Sequence, residues 1–204
     1  MRTKEIVIKT SLSLFNKNTF ELSTTNSIAK ESEILEGSLW YHFNTKLDIV
    51  STHINIFLDS YNSKKNHTAT DSHLLYIQGL FSVYEDIWNY RYLFRDSFEK
   101  IARKSPNLYL RIIEINRSID QWLEKSVIHA KEIGILKIDD SDIENIVEIS
   151  LIIGRYWFDF SKKRYFNESD DYLRKKGLNL LIKSFYPYLS ANSKDLINSI
   201  YKSI

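Results

Sequence analysis

Thr24-Thr25-Asn26-Ser27-Ile28-Ala29-Lys30-Glu31-Ser32-Glu33-Ile34-Leu35-Glu36-Gly37-Ser38-Leu39-Trp40-Tyr41-His42-Phe43-Asn44-Thr45-Lys46 holds two short amphipathic runs on either side of a polar break. Thr24 and Thr25 offer hydroxyls to cap a helix whose inner face is Ile28 and Ala29. Glu31-Ser32-Glu33 is a polar break, and Ile34 resumes the core. A second short helix follows from about Glu36 to Phe43, with Leu39 and Phe43 at i, i+4. Two short helices around a tight connection, each with an inward face, form a helix-turn-helix.

Upstream, Lys4 to Asn16 carries Val7, Ile8, Ser11, Leu14 and Phe15 on one helical face. Asn18 is the expected left-handed residue that ends that helix. Downstream the segments lengthen. Leu47 to Ser63 reads as a helix, Asn62 to Ser72 as a polar loop, and His73 to Tyr90 as an aromatic-rich helix. Tyr92 to Lys104 reads as one helix, and Pro106 opens another that Gly134 ends near Ile133. Asp139-Asp140-Ser141-Asp142 caps a long helix to about Phe166, and Asp170-Asp171 opens one to Tyr186. Ser193 to Tyr201 closes the chain.

Composition agrees with helices throughout. The 204 residues are 43% hydrophobic and 26% charged, enough to bury a core, and hold only 5 Gly and 2 Pro. Isoleucine occurs 27 times and alanine 5 times, so packing must hold helices that propensity alone would not. There is no cysteine, which excludes disulfides, thiolate metal sites and a cysteine nucleophile. The net charge of +2 gives no global sign of a nucleic-acid partner. Arg2, Lys4, Glu5 and Lys9 interrupt the start, so no signal-peptide core is read. Ser150, Arg155 and Asp159 break the longest apolar run, so no membrane partner is expected and the cytoplasm is the expected location.

The run from Thr24 to Lys46 resembles the TetR family of repressors: a threonine pair, Ile28-Ala29, then Gly37-x-Leu39-aromatic-x-His42-Phe43 and a lysine. The resemblance covers about residues 4 to 50. The Tyr41-His42-Phe43-x-Thr45-Lys46 run is similar to the multidrug-binding QacR branch. It implies an all-α chain, with a three-helix helix-turn-helix DNA-binding domain over residues 1–46. A helical effector-binding and dimerisation domain over 47–204 follows. It also implies that Thr25, Glu36, Gly37, Ser38, Trp40, Tyr41, His42 and Lys46 contact double-stranded operator DNA, with Lys46 on a phosphate.

Residue chemistry fits that implication. A recognition helix sets its first residues against base edges in the major groove. Gly37 removes a side chain where backbone would approach DNA. Tyr41 and His42 can reach phosphate oxygens, and Ser38 a base or a phosphate. Four departures from the family pattern stand out. Glu33 replaces a turn glycine, Leu35 a capping serine, Glu36 a lysine and Trp40 a tyrosine. A carboxylate at 36 either weakens binding by repelling phosphates or accepts from a cytosine amino group. The first fifty residues hold six basic and six acidic side chains, so binding depends on local placement.

The body is less informative. Tyr76, Phe81, Tyr84, Trp88, Tyr90, Tyr92, Phe94 and Phe98 either fill a core or line a pocket. On the pocket reading, Tyr84, Glu85, Trp88, Phe94, Phe98 and Trp122 are candidate ligand residues. Glu85, Asp86, Asp96 or Glu99 would then face a cationic or hydroxylated group on a small lipophilic effector. Ile146, Ile149, Ile153, Trp157 and Phe160 form one stripe, and Leu178, Leu181, Ile182 and Phe185 another. By the resemblance, these last two long helices pair two copies into a homodimer.

An enzyme is not expected. The five histidines show no zinc-type pairing, and there is no phosphate loop or nucleophile elbow. Asp139 to Glu144 lacks the glycine of a calcium loop. No catalytic residue, metal or cofactor is assigned. The function expected is a ligand-responsive DNA-binding transcriptional regulator, a repressor released by a small molecule. The alternative is a helical protein-interaction module with a degenerate DNA-binding head.

Overall fold

The computed structural model describes residues 3–201. Among them the chain is helical, with one isolated antiparallel bridge between Leu136 and Leu189. The helices are α1 (Thr3–Asn18), α2 (Thr25–Glu31), α3 (Glu36–His42), α4 (Lys46–Lys65), α5 (His73–Asn89), α6 (Asp96–Ala102), α7 (Pro106–Glu132), α8 (Asp140–Arg164), α9 (Asp170–Phe185) and α10 (Ala191–Tyr201). Short 3₁₀ turns cover Asn66–Thr68 and Arg91–Phe94. The all-α class and the N-terminal helix-turn-helix are therefore as expected, with shifted ends.

Each shift has a local cause. The left-handed residue after α1 is Thr19, φ 78°, and Asn18 stays helical. The polar stretch after residue 62 does not stop α4, because Lys64 pairs with the buried Asp86 at 2.5 Å. The single helix expected from Tyr92 splits at Arg95, whose backbone is extended. Asp139 occupies the cap position of α8 without a side-chain bond, while Asp140 in the first turn pairs with Lys131 at 2.7 Å. Ser169, not Asp170, caps α9, accepting from the Tyr172 N–H at 3.1 Å.

The chain divides into two compact units, Met1–Tyr61 with Asn89–Ile112, and Asn62–Trp88 with Ile113–Ile204. This division does not follow the sequence boundary at 46/47. The apolar face of α4 (Ile49, Val50, Ile54 and Phe57) is wholly buried, and the rings of Tyr90 and Phe94, just past α5, pack on Phe57.

In the first unit, α1, α2 and α3 pack on one another around Val7, Phe15, Ile28, Leu39 and Phe43. Asn16 clamps the segment after α5, donating from Nδ2 to the Asn89 carbonyl at 2.7 Å and accepting the Tyr92 N–H at 3.1 Å. His53 is fully buried at the centre, edge-on to Phe15 and Tyr92. Its Nε2 lies 2.9 Å from the Ile8 carbonyl oxygen, and its Nδ1 2.9 Å from the Tyr92 hydroxyl. A carbonyl only accepts, so Nε2 carries the proton and Nδ1 takes one from Tyr92. Burial pushes the His53 pKa down to about 4, so the ring is neutral.

In the second unit α8 packs along α9. Two side chains donate into α9 carbonyls: Trp157 Nε1 to Leu173 at 2.9 Å, and the Tyr84 hydroxyl to Arg174 at 2.8 Å. Gly177 makes this approach possible, since a Cβ there would lie 2.4 Å from Trp157 Nε1 and 2.6 Å from the Tyr84 oxygen. α7 ends in a paired-bond turn at Gly134, φ 75°, with Ile135 N–H on the Ala130 carbonyl and Gly134 N–H on Lys131. Lys137 N–H to Tyr188 and Ser190 N–H to Ile135 then bind this connection to the one after α9.

His53 makes stability depend on pH with a definite sign. Its folded pKa of about 4 lies below the ordinary 6.5, so the unfolded chain binds more protons between those values. The contribution is complete above pH 6.5 and disappears as pH falls toward 4. Urea unfolding followed by circular dichroism should lose about 3 kcal/mol over that window. His53→Gln should flatten that part of the slope; an unchanged slope would mean that the imidazole charges without penalty.

Candidate nucleic-acid interface

α2 begins as the sequence requires. Thr24 is its cap and its hydroxyl oxygen accepts the Ser27 N–H at 3.0 Å. The helix ends in the same paired-bond turn that closes α7, with Ile34 N–H on Ala29 and Glu33 N–H on Lys30. Glu33, however, takes the left-handed place that Gly134 fills elsewhere, at φ 55°. A side chain in that conformation costs about 1 kcal/mol, so the turn keeps its shape without its usual glycine. Leu35 caps α3 in position only, with no side-chain bond, and is largely exposed.

α3 is amphipathic within seven residues. Leu39 is fully buried against the α1–α2 pair, and Phe43 is buried where the chain turns extended. The opposite side is free. Tyr41 is 85% exposed, Gly37 lies one turn before it, and a Cβ on Gly37 would meet nothing within 4 Å. Trp40, 41% exposed, and Glu36 flank this line on one side, with Ser38 and His42 on the other. Tyr41 and His42 stand edge to face, their centroids 5.1 Å apart. Seven of the eight residues expected at DNA thus gather on α3 and the start of α2.

Lys46 departs from the expectation. Its ammonium donates to the Phe20 carbonyl at 2.7 Å and the Ser23 carbonyl at 3.0 Å, and sits 3.9 Å over the Phe20 ring. Two of three donors are thereby engaged inside the head, and burial lowers its pKa, partly offset by Glu21. Lys46 pins the α1–α2 connection to α4 rather than standing free for a phosphate.

Two features of this corner escaped sequence reasoning. Thr45 and Asp48 form a reciprocal cap at the start of α4, Thr45 N–H on Asp48 Oδ2 at 2.8 Å and Asp48 N–H on Thr45 Oγ1 at 3.2 Å. The Thr-x-x-Asp spacing was its legible signal. The Thr25 hydroxyl also donates to Glu36 Oε1 at 2.7 Å, and an eleven-residue separation carries no such signal.

The candidate ligand residues are divided between the two compact units. Phe98 is buried beside Phe20 and Tyr92, and Phe94 lies against Phe57, all in the first unit. Tyr84, Glu85, Trp88 and Trp122 belong to the second. There Glu85 pairs with Arg174, Trp88 packs on Phe158, and Trp122 Nε1 donates to Thr68 at 3.2 Å. Asp86 is buried, with one oxygen on Lys64 and Oδ2 without a hydrogen-bond partner.

Comparison with known proteins completes the assignment. A family model described as TetR, bacterial transcriptional repressor, matches residues 51–197. The chain belongs to the TetR family. The match begins where the motif resemblance of the first fifty residues ends, so the two likenesses together span most of the chain. IcaR of Staphylococcus aureus, the negative transcriptional regulator of the biofilm operon icaADBC, is 23% identical over 155 residues, covering 72% of this chain and 80% of IcaR. The structure of a TetR-family regulator from Marinobacter aquaeolei superposes with TM-score 0.75 at 20% identity, over 100% of this chain and 98% of that one. KstR2 of Mycobacterium tuberculosis, a ketosteroid transcriptional regulator, gives 0.65 at 17% identity over 93% and 96%. This TetR-family protein is a DNA-binding transcriptional regulator.

The open surroundings of Gly37 generate a test. Gly37→Ala adds a Cβ that touches nothing in the protein and relieves about 1 kcal/mol of helix penalty. Thermal unfolding should show no loss of stability, while fluorescence anisotropy on duplex DNA should show roughly tenfold weaker binding. Undiminished affinity would remove Gly37 from the interface.

Proposed function

We propose that this TetR-family protein represses transcription as a homodimer whose paired α3 helices occupy successive major grooves of a palindromic operator. The observation that carries the reading is the side of α3 formed by Gly37, Tyr41 and their flanking residues, left open while Leu39 and Phe43 hold the helix from behind. Thr25, Glu36, Gly37, Ser38, Trp40, Tyr41 and His42 make up the DNA surface within residues 1–46. Residues 47–204 supply the effector and dimer functions, and the protein works in the cytoplasm. Among the described residues no helix is long and apolar enough to cross a membrane.

Dimerisation through α8 and α9 is supported by an apolar row on α8. Ile149, Ile152, Tyr156 and Phe160 share one helical face and are all exposed, whereas Ile146 and Trp157 point inward. Leu180 on α9 is also exposed. Such a row needs a partner, and a two-fold axis matches a two-fold operator.

The effector is a small lipophilic molecule bound in the second unit, near the aromatic residues of α5. Asp86 is the polar anchor for a hydroxyl or cationic group on it, which its unpartnered Oδ2 supports. Ligand favours a conformation in which α4 carries the two recognition helices beyond the half-site spacing, and operator must weaken ligand binding by the same factor.

Fluorescence anisotropy on a duplex from the gene's own upstream region tests the reading. The full chain should bind as a dimer, and affinity should fall by about two or more orders of magnitude between roughly 50 and 200 mM salt. Tyr41→Ala should weaken binding by about tenfold with helical content and dimer unchanged. Binding that ignores both salt and Tyr41 would leave the head without its assigned task.

A further inference from the structure

The bond between Thr25 and Glu36 changes what each residue can do at DNA. A threonine hydroxyl has one proton. Thr25 Oγ1 gives it to Glu36 Oε1 at 2.7 Å, so it has none left to donate to a phosphate. Among the described residues Glu36 makes no ion pair and its Oε2 has no partner. It is half-buried at the first position of α3, beside the open Gly37 and one turn before Trp40. An unpaired carboxylate close to phosphates is repelled by them. The partners that favour it are the amino groups on base edges.

We propose that Glu36 selects a cytosine in each half-site through Oε2, and that Thr25 is the positioning residue that aims it. The proposal rests on the operator-binding reading above. A carboxylate only accepts, so it is repelled by guanine, which shows two acceptors, and by thymine, which shows an acceptor and a methyl group. Adenine sets its N7 acceptor beside its amino group, where the second carboxylate oxygen meets a lone pair. Cytosine presents its N4 amino group alone, which a single carboxylate oxygen can take. An unrestrained glutamate would lose rotamer freedom on entering the groove. The hydrogen bond from Thr25 removes that freedom beforehand and holds Oε1 away from the DNA.

Selection from a randomised duplex library by the full chain tests this, using the wild type, Glu36→Gln, Thr25→Val and Thr25→Ser. The wild type should enrich an inverted repeat with one cytosine per half-site preferred by about tenfold. Glu36→Gln keeps Oε1 as the acceptor for Thr25 and turns the DNA-facing atom into an NH2 donor, so preference at that position alone should move from cytosine to guanine, which shows two acceptors there. Thr25→Val should blunt the cytosine preference to about threefold or less, and Thr25→Ser should retain it. All three changes are small, and matching circular dichroism spectra would establish that the variants fold. Glu36→Gln with wild-type preferences at every position overturns the proposal. So does Thr25→Val that weakens all sequences equally with the cytosine preference intact, the behaviour of a phosphate contact. A wild-type chain that enriches no inverted repeat rejects operator binding itself, a result distinct from a repeat without a cytosine.

Discussion

A neutral imidazole sealed between a backbone carbonyl and a phenol holds the DNA-binding unit together. His53 of α4 donates to Ile8 of α1 and accepts from Tyr92, just past α5. Three segments far apart in sequence thus meet on one ring, closed off by Phe15. Asn16 adds a second tie to the same segment through Asn89 and Tyr92. With α1 fixed to α4, α2 and α3 need only a small apolar set, Ile28, Leu39 and Phe43, to be held in place. That economy leaves the rest of α3 free for a ligand. Buried polar groups of this kind demand complete pairing, so they favour one arrangement of the helices over its neighbours.

The consequence for function is a division of labour among polar side chains. Lys46, cationic and near the interface, is drawn inward by the Phe20 and Ser23 carbonyls. Glu36, anionic and at the start of the recognition helix, stays outward with a tether from Thr25. On the proposed reading the head meets DNA with aromatic and hydroxyl groups and one oriented carboxylate more than with a basic field. That agrees with its equal numbers of acidic and basic side chains and shifts weight from general phosphate attraction to base reading.

Much of this was legible in the sequence because amphipathic helices write their buried face at regular intervals. Val7, Ser11 and Phe15, or Leu39 and Phe43, mark inward positions before any coordinates are known. Local stops were harder. Either Asn18 or Thr19 could have taken the left-handed place, and packing put it at Thr19. The break at Arg95 has no Gly or Pro to announce it and depends on tertiary bonds, including one from its guanidinium to the Asn16 carbonyl. Aromatic residues close in sequence, Trp88 and Tyr90 for example, belong to different compact units, because the division falls between Trp88 and Asn89. The role of Lys46 was hidden for the same reason, since the carbonyls that hold it lie more than twenty residues upstream.

On the proposed reading α3 presents its Gly37–Tyr41 side to duplex DNA. Hydrogen–deuterium exchange on the full chain, with and without a duplex from the gene's upstream region, follows that side amide by amide. New protection is expected at the amides of residues 36–43 and at the start of α2. Protection confined to other segments, with residues 36–43 exchanging as fast as in the free protein, would contradict it.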